Sequence, residues 1–360
     1  MGNIINNLLD NLISTAWRMM ELPFNLLFIF MVIALILFNW LGRRWLKKLS
    51  NQKRLYINAA LILMLLLYVA DKKFAFIRTE MNALNENVRN VRMKIRTVAF
   101  HTPIDLSKFN KEFPKAKLFK RSINEAIQLL TVIQQQPNSV VYIARVDLTH
   151  PKIRIEISPE KREKYLTSTF AKKHGAVLAI NGEAGETPAP NCELGKWSGN
   201  WVRNGNPVMM VDTELRPFIG FNKHNVAKYY EEKFVDTEYK DDYYNAIWGR
   251  FDILKKNKII FPRQYRWDFP YARTVMGLDQ DGSELLLMVV DGKRPWYSVG
   301  LTYEDCAKML RSFGAYDAMA CDQGGSSCMY VEDMGGIINR PADWDGVERP
   351  VYSHFGISFR

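Results

Sequence analysis

Cysteine is scarce in this chain, and none of it is spaced for metal. Four cysteines occur in 360 residues, Cys192, Cys306, Cys321 and Cys328, and no two form a Cys-x-x-Cys pair, which argues against a zinc site. Cys321 and Cys328 flank a glycine loop. They suit either a disulfide in an extracytoplasmic domain or two independent buried thiols. Internal repeats and low-complexity tracts are missing as well. The glycine loop lacks a Gly-Lys-Ser/Thr ending, which excludes a Walker A phosphate loop. Acidic residues are in deficit, 38 Asp and Glu against 49 Lys and Arg, for a net charge of +11. The basic residues are not concentrated as a recognition helix would be, so nucleic acid is not the expected partner. Much of the excess lies beside apolar segments near the N-terminus, where topology explains it better. With 48% hydrophobic and 12% aromatic residues, a packed core is within reach and global disorder is excluded.

Leu22–Leu41 is an uncharged apolar run of bilayer-spanning length, and Leu55–Ala70 is a shorter one. The loop between them carries Arg43, Arg44, Lys47, Lys48, Lys53 and Arg54, which the positive-inside rule places in the cytoplasm. Two spans then put the C-terminal part in the periplasm or outside the cell, anchored in the inner membrane with its helices contacting lipid. If Leu55–Ala70 is instead a buried or amphipathic helix, one span remains and the C-terminal part is cytoplasmic. The two-span hairpin is the expectation. It gives a membrane anchor at 1–71, a stalk and helical linker at 72–138, and a folded domain at 139–360.

Within the linker, the spacing over Asp71 to Phe100 predicts a stalk helix, and Ser122 to Gln135 a second helix. From Ser139 the pattern turns to short β-type runs: Val140–Val146, Lys152–Ile157, Ala176–Ile180, Thr274–Leu278 and Glu284–Val290. Helices are expected at Leu166–His174 and Thr302–Phe313. Strands and helices do not alternate strictly, so the expected class is α+β, a mixed sheet core with flanking helices behind a transmembrane hairpin.

Four polar clusters end or open expected strands: Asn181-Gly182-Glu183, Arg273-Thr274, Asp291-Gly292-Lys293-Arg294, and Asp322-Gln323-Gly324-Gly325-Ser326-Ser327. Any one alone is more often a turn. Four together suggest a pocket at one sheet edge. The glycines of the last cluster permit positive φ and close approach of a ligand, and successive N–H groups there can cradle an anion.

The ordered set AINGE, ARTVMG, VVDGK, CDQGGSSCM and ERPVYSHFGI resembles the phosphodiester glycosidase family, over roughly Ser139 to Arg360. NAIWG, ahead of a turn at Lys256–Lys258, resembles a further segment of it. The resemblance implies a hydrolase acting on a sugar linked through its anomeric phosphate, in an envelope or exopolysaccharide glycan or glycolipid. It implies a pocket containing Asn181, Arg273, Thr274, Asp291, Gly292, Asp322, Gly324, Gly325, Ser326 and Ser327. Arg349 resembles a recurring family arginine. The chain departs from the family pattern in three places. Glu183-Ala184-Gly185 replaces a glycine-aromatic segment, Lys293 replaces an arginine and loses its planar fork, and Gln323 replaces a glycine. These departures leave open an alternative, a non-catalytic glycan-binding or polysaccharide-assembly protein on the same fold.

The chemistry fits those residue types. Arg273 offers phosphate oxygens a planar fork, and the glycine backbone and Ser327 hydroxyl offer neutral donors. Cleavage at an anomeric carbon is usually assigned to paired carboxylates. Asp322 is the leading candidate, as base or nucleophile, with Asp291 and Glu183 beside it. A phosphomonoester leaves readily, so strong acid assistance is not required. No organic cofactor is expected. A divalent ion near the aspartates is compatible with the sequence, though no ligand spacing demands one. His354, alone near the C-terminal strand, reads more readily as structural.

Overall fold

The computed structural model describes residues 100, 103–159, 164–183, 201–209, 216–230, 243–260, 269–294, 297–343 and 346–360. In chain order, strands β1 (Ala116–Ser122), β2 (Ile127–Gln135), β3 (Asn138–Asp147), β4 (Ile153–Ile157) and β5 (Leu178–Asn181) come first. β6 (Trp201–Arg203), β7 (Asn206–Met209), β8 (Phe218–Phe221), β9 (Ala227–Tyr230) and β10 (Asn245–Trp248) follow. Next are β11 (Phe251–Lys255), β12 (Lys258–Ile259), β13 (Arg273–Leu278), β14 (Glu284–Val290) and β15 (Asp317–Ala320). The last are β16 (Met329–Val331), β17 (Gly336–Ile337) and β18 (His354–Phe359). The helices are α1 (Leu106–Glu112), α2 (Thr167–His174) and α3 (Tyr303–Ser312).

The strands form an eight-stranded sheet, β1-β2-β3-β14-β13-β15-β11-β12, and two five-stranded sheets, β17-β16-β5-β18-β4 and β7-β6-β10-β8-β9. The middle of the large sheet is buried on both faces. Along β3 and β14, Val140, Tyr142, Ala144, Leu285, Leu287 and Val289 pack toward the smaller sheets. Their neighbours Val141, Ile143, Leu286, Met288 and Val290 pack toward α1 and α3. Alternate side chains point to opposite faces, so a strand covered on both sides becomes a continuous apolar run. Each fully buried branched side chain contributes roughly 1.5–3 kcal/mol.

The three helices are short and cap-defined. Thr302 Oγ1 accepts from the Asp305 N–H at 3.0 Å at the start of α3, and Asp105 Oδ1 accepts from the Lys108 N–H at 2.9 Å in α1; each satisfies a donor the helix itself leaves open. One face of α3, with Cys306, Ala307, Met309 and Leu310, is buried against the large sheet.

The expected fold class is therefore corrected. The described chain is mostly β with three helices, and all its strand pairings are antiparallel, not mixed. The helix expected over Ser122 to Gln135 is instead β2, paired along its whole length with β3. Its apolar run has no period-2 signature because Ile127 and Leu129 face one layer while Leu130 and Val132 face the other. The large sheet therefore extends upstream of residue 139. The transmembrane hairpin at Leu22–Leu41 and Leu55–Ala70 lies outside the described residues, as does the stalk helix except for Phe100. Among the described residues no helix is long and apolar enough to cross a membrane, so the structure gives the hairpin no support. The disulfide alternative also falls: Cys321 and Cys328 are both free and buried.

Candidate functional site

Strand register brings the four polar clusters to one place. Arg273 of β13 pairs with Val290 of β14, so Arg273 and Asp291 leave the large sheet at the same end. Beside them, Ala320 of β15 pairs with Val275, and the Cys321 N–H continues the ladder to Thr274 O at 2.9 Å. The chain then crosses from β15 in the large sheet to β16 in the second sheet, and the glycine loop is that crossing. Met329 of β16 pairs with Ile180 of β5, which sets Asn181, the last residue of β5, under the loop.

Asn181 is the fastener. It is fully buried. Its Oδ1 accepts from Thr274 Oγ1 at 2.7 Å and from the Cys328 N–H at 3.1 Å. Its Nδ2 donates to Gly182 O at 3.0 Å and Asp322 O at 3.1 Å. Three of the four clusters are thus tied through one amide. Asn181 and Thr274 are spent on this task and hold the site together.

The glycines of the loop serve close approach. Gly324 has φ of 73°, and a Cβ there would lie 3.0 Å from Tyr271 Cε1. A Cβ on Gly325 would lie 1.9 Å from Asp343 Oδ1, a distance no side chain tolerates. Gly324–Ser326 form one 3-10 turn. The Gly324 N–H donates to Ala272 O at 2.9 Å and the Ser327 N–H to Gly324 O at 3.1 Å, so these two of the expected anion donors are used within the fold. The Ser327 hydroxyl is buried and makes no hydrogen bond among the described residues. Gly292 packs its Cα against the Tyr271–Ala272 backbone, where a Cβ would lie 2.2 Å from Ala272 N.

Arg273 is buried and engaged. Nε donates to Leu301 O at 3.2 Å, Nη2 to Phe269 O at 2.7 Å, and Nη1 to Gln323 Oε1. Its guanidinium lies 3.7 Å from the centroid of Tyr303, whose hydroxyl also donates to Gln323 Oε1, at 2.9 Å. The residue that replaces the family glycine thus caps the arginine. Asp291 is buried beneath three donors: Tyr297 Oη at 2.6 Å, the Arg340 N–H at 2.8 Å and Asn339 Nδ2 at 3.3 Å. Burial pushes its carboxyl up to about 6, against the pull of those donors. The geometry gives Asp291 the work of holding the 339–340 segment.

The other two carboxylates share one arginine. Asp322 is 17% exposed, and its Oδ1 accepts from Arg250 Nη2 at 3.3 Å. Glu183 is 2% exposed, and its Oε1 accepts from Arg250 Nε at 2.9 Å and Nη2 at 2.5 Å. Ser353 Oγ donates to Glu183 O and fixes that backbone. Two cations stand at the rim, beside the glycine loop and Tyr271. Arg349 is 46% exposed, grips Asp343 at 2.6 and 2.9 Å, and reaches Ser326 Oγ at 3.4 Å. Lys293, at φ of 58°, sets its Nζ 5.3 Å from the Tyr271 ring centroid. His354 lies elsewhere: it is stacked on Phe170 at 4.9 Å and bonded to Ser158 Oγ at 2.9 Å. Its role is structural.

The phosphodiester glycosidase model matches residues 174–358, half of the chain and every residue of the site just described. The chain belongs to the phosphodiester glycosidase family. Phosphodiester glycosidases are hydrolases, and the family match begins in α2 and ends in β18. A prophage-derived uncharacterized protein, YomE, of Bacillus subtilis strain 168 is 27% identical over 205 residues, which is 53% of this chain and 29% of the relative. The chain thus spans under a third of that relative's length. Two solved structures share the fold. A hypothetical protein from Synechocystis superposes with a TM-score of 0.54 at 11% identity, covering 68% of this chain and 64% of that one. The zebrafish N-acetylglucosamine-1-phosphodiester alpha-N-acetylglucosaminidase catalytic domain, auto-inhibited by its pro-peptide, superposes with a TM-score of 0.51 at 19% identity, covering 68% and 89%. At these identities the likeness is one of fold.

Sequence reading did not find Arg250, Tyr271, Tyr303, Asn339 or Asp343. The one available signal for Arg250 was its place directly after NAIWG, a segment already noted for its phosphodiester glycosidase likeness. Tyr271 stands two residues ahead of Arg273 and carried no signal of its own.

Proposed function

We propose that the chain hydrolyses a sugar linked through its anomeric phosphate, with cleavage at the anomeric carbon and Asp322 as the reacting carboxylate. The observation that carries this reading is the Glu183–Arg250–Asp322 arrangement at the meeting point of the four clusters. Of the three candidate carboxylates, Asp322 is the one that is both exposed to a substrate and held near a second carboxylate. An oxocarbenium-like transition state gains from negative charge beside C1. A phosphomonoester leaves without strong protonation, and no general acid needs to be assigned.

Recognition of the phosphate falls to the rim. Lys293 and Arg349 are the cations placed there, and Arg349 keeps a donor toward Ser326 while its partner Asp343 orients it. Arg273 acts from below, by fixing Gln323. The Tyr271 ring, beside Gly324 and Lys293, suits contact with the apolar face of a pyranose. An N-acetylglucosamine α-phosphodiester, the group named for the zebrafish relative, is the first substrate to try, as a small ester or on a glycan or glycolipid.

The test is release of free sugar from such an ester by the full chain, compared with Asp322→Asn. The expected result is turnover in the wild type and a loss of about 10³-fold or more in the variant. Equal rates in both would remove Asp322 from the chemistry. Binding without turnover would favour the glycan-binding alternative, for which Gln323 capping Arg273 is the supporting feature.

A further inference from the structure

Positive charge without counter-charge gathers along α2, one helix length from the site. Lys172 and Lys173 stand in its last turn and are exposed. The Arg360 guanidinium lies against the helix end, with Nη2 donating to His174 O at 2.9 Å. Burial first, and then the charges of Arg203 and Lys173, hold the His174 imidazole below its ordinary value, so Arg203 of β6 stands close by. Lys173 Nζ donates to Tyr165 Oη at 3.2 Å, and Lys164 Nζ lies 4.8 Å from the Tyr352 ring centroid. Among the described residues, Lys164, Lys172, Lys173, Arg203 and Arg360 form no ion pair with a carboxylate. The helix dipole favours lysines in a last turn, which accounts for Lys172 and Lys173. It does not account for Lys164, Arg203 and Arg360, which three other segments of the chain bring to the same face. Cations collected in this way raise the local concentration of an anion.

The patch is continuous with the rim of the site. Tyr165 and Val351 exchange backbone hydrogen bonds at 2.9 and 2.8 Å, and the Ser168 N–H donates to Glu348 Oε2 at 2.8 Å. Arg349, which reaches Ser326 Oγ of the glycine loop, lies in the chain between those two anchor points. From there the cations follow α2, whose 8 residues span about 12 Å. One sugar phosphate seated in the site does not also cover that length, and a chain of them does.

We infer that Lys164, Lys172, Lys173, Arg203 and Arg360 form a track for a polyanionic glycan, holding the repeats of a sugar-phosphate polymer that lie beyond the bond in the site. The choice of a sugar-phosphate polymer rests on the hydrolase reading above. Half-buried Tyr165 and Tyr352 set ring faces among the cations, and alternating sugars and phosphates match that alternation of apolar and positive surface. An anionic membrane fits less well. The positions of α2 that reach the surface, Ser168, Thr169, Lys172, Lys173 and His174, are polar throughout, with no apolar side chain to insert.

The test measures binding of a fluorescent N-acetylglucosamine 1-phosphate decamer, and of the corresponding dimer, by the full chain carrying Asp322→Asn, so that binding is read without turnover. The decamer is expected to bind about 10-fold or more tightly than the dimer, and to lose about 10-fold in affinity between about 50 and about 200 mM salt. Adding Lys172→Glu with Lys173→Glu is expected to abolish the preference for the decamer. With Asp322 intact, the same two substitutions are expected to leave kcat/KM on methyl N-acetyl-α-glucosaminyl phosphate unchanged, which also shows that the variant is folded. Lys172→Gln with Lys173→Gln removes the charge without reversing it and is expected to lose part of the preference. Decamer affinity unchanged in both variants overturns the inference. So does equal binding of single-stranded DNA or of phosphatidylglycerol vesicles at the same salt, which would make the patch a general anion surface. Decamer binding that depends on the lysines, in a chain that releases no sugar from the ester, counts against the hydrolase reading and leaves the track in place.

Discussion

Thr274 Oγ1 donates to Asn181 Oδ1 across 2.7 Å, and through that bond the start of β13, inside the eight-stranded sheet, is joined to the end of β5 in the second sheet. Neither side chain has exposure to spare. Asn181→Ala strands the Thr274 hydroxyl and the Cys328 N–H and frees the Asp322 carbonyl. A buried network broken in this way costs about 2–4 kcal/mol. Thr274→Val removes one donor and leaves the rest of the amide satisfied, for about 1–2 kcal/mol. Denaturant unfolding of the two variants measures both, and equal small losses would deny Asn181 its role as the common fastener.

His354 supplies a pH signature. Burial lowers it from the ordinary value of 6.5 to about 3, because its charged form would sit between Phe170 and Ser158 without water. A depressed histidine contributes stability that is present above the unfolded value and lost as pH falls through the folded one. Stability should therefore decline from pH 6.5 toward pH 3, by on the order of 1.4 kcal/mol for each unit of separation. His354→Phe keeps the ring on Phe170 and cannot take the proton. Melting curves of wild type and variant between pH 7 and pH 4 should converge as the wild type loses ground; parallel curves would contradict the assignment.

Much of this was legible in the chain, and the reasons divide by range. Glu284–Val290 and the helix around Tyr303–Ser312 could be read because run length, Thr302 and the acidic first turn are local signals. The four clusters could be read because each is contiguous. Ile127–Gln135 misled because burial on both faces erases the alternation that marks a strand. Arg250 was missed because its importance is a matter of distance to Glu183 and Asp322, 67 and 72 residues away. The surroundings of Asp291 were hidden for the same reason: the donors that reach it, from Asn339 and Arg340, arrive from a segment 48 and 49 residues on.

Gln323 is the departure with a visible consequence. Its Oε1 takes a donor from Arg273 and another from Tyr303. Gln323→Gly restores the family residue and uncovers that acceptor position. The variant is expected to lose about 1–3 kcal/mol from the unpaired guanidinium donor. It should also gain a larger rise in melting temperature from added inorganic phosphate than the wild type does. An identical phosphate effect in both would mean that Gln323 does not stand where an anion can bind.

The most direct test of the account is the fate of the water oxygen. Hydrolysis of an N-acetylglucosamine α-phosphodiester by the full chain in ¹⁸O water places the label on whichever side of the bond water attacks. Attack at the anomeric carbon, with Asp322 and Glu183 around it, predicts ¹⁸O in the released sugar and none in the phosphomonoester. Label in the phosphomonoester would mean that the phosphorus–oxygen bond breaks, and would contradict the account at its centre.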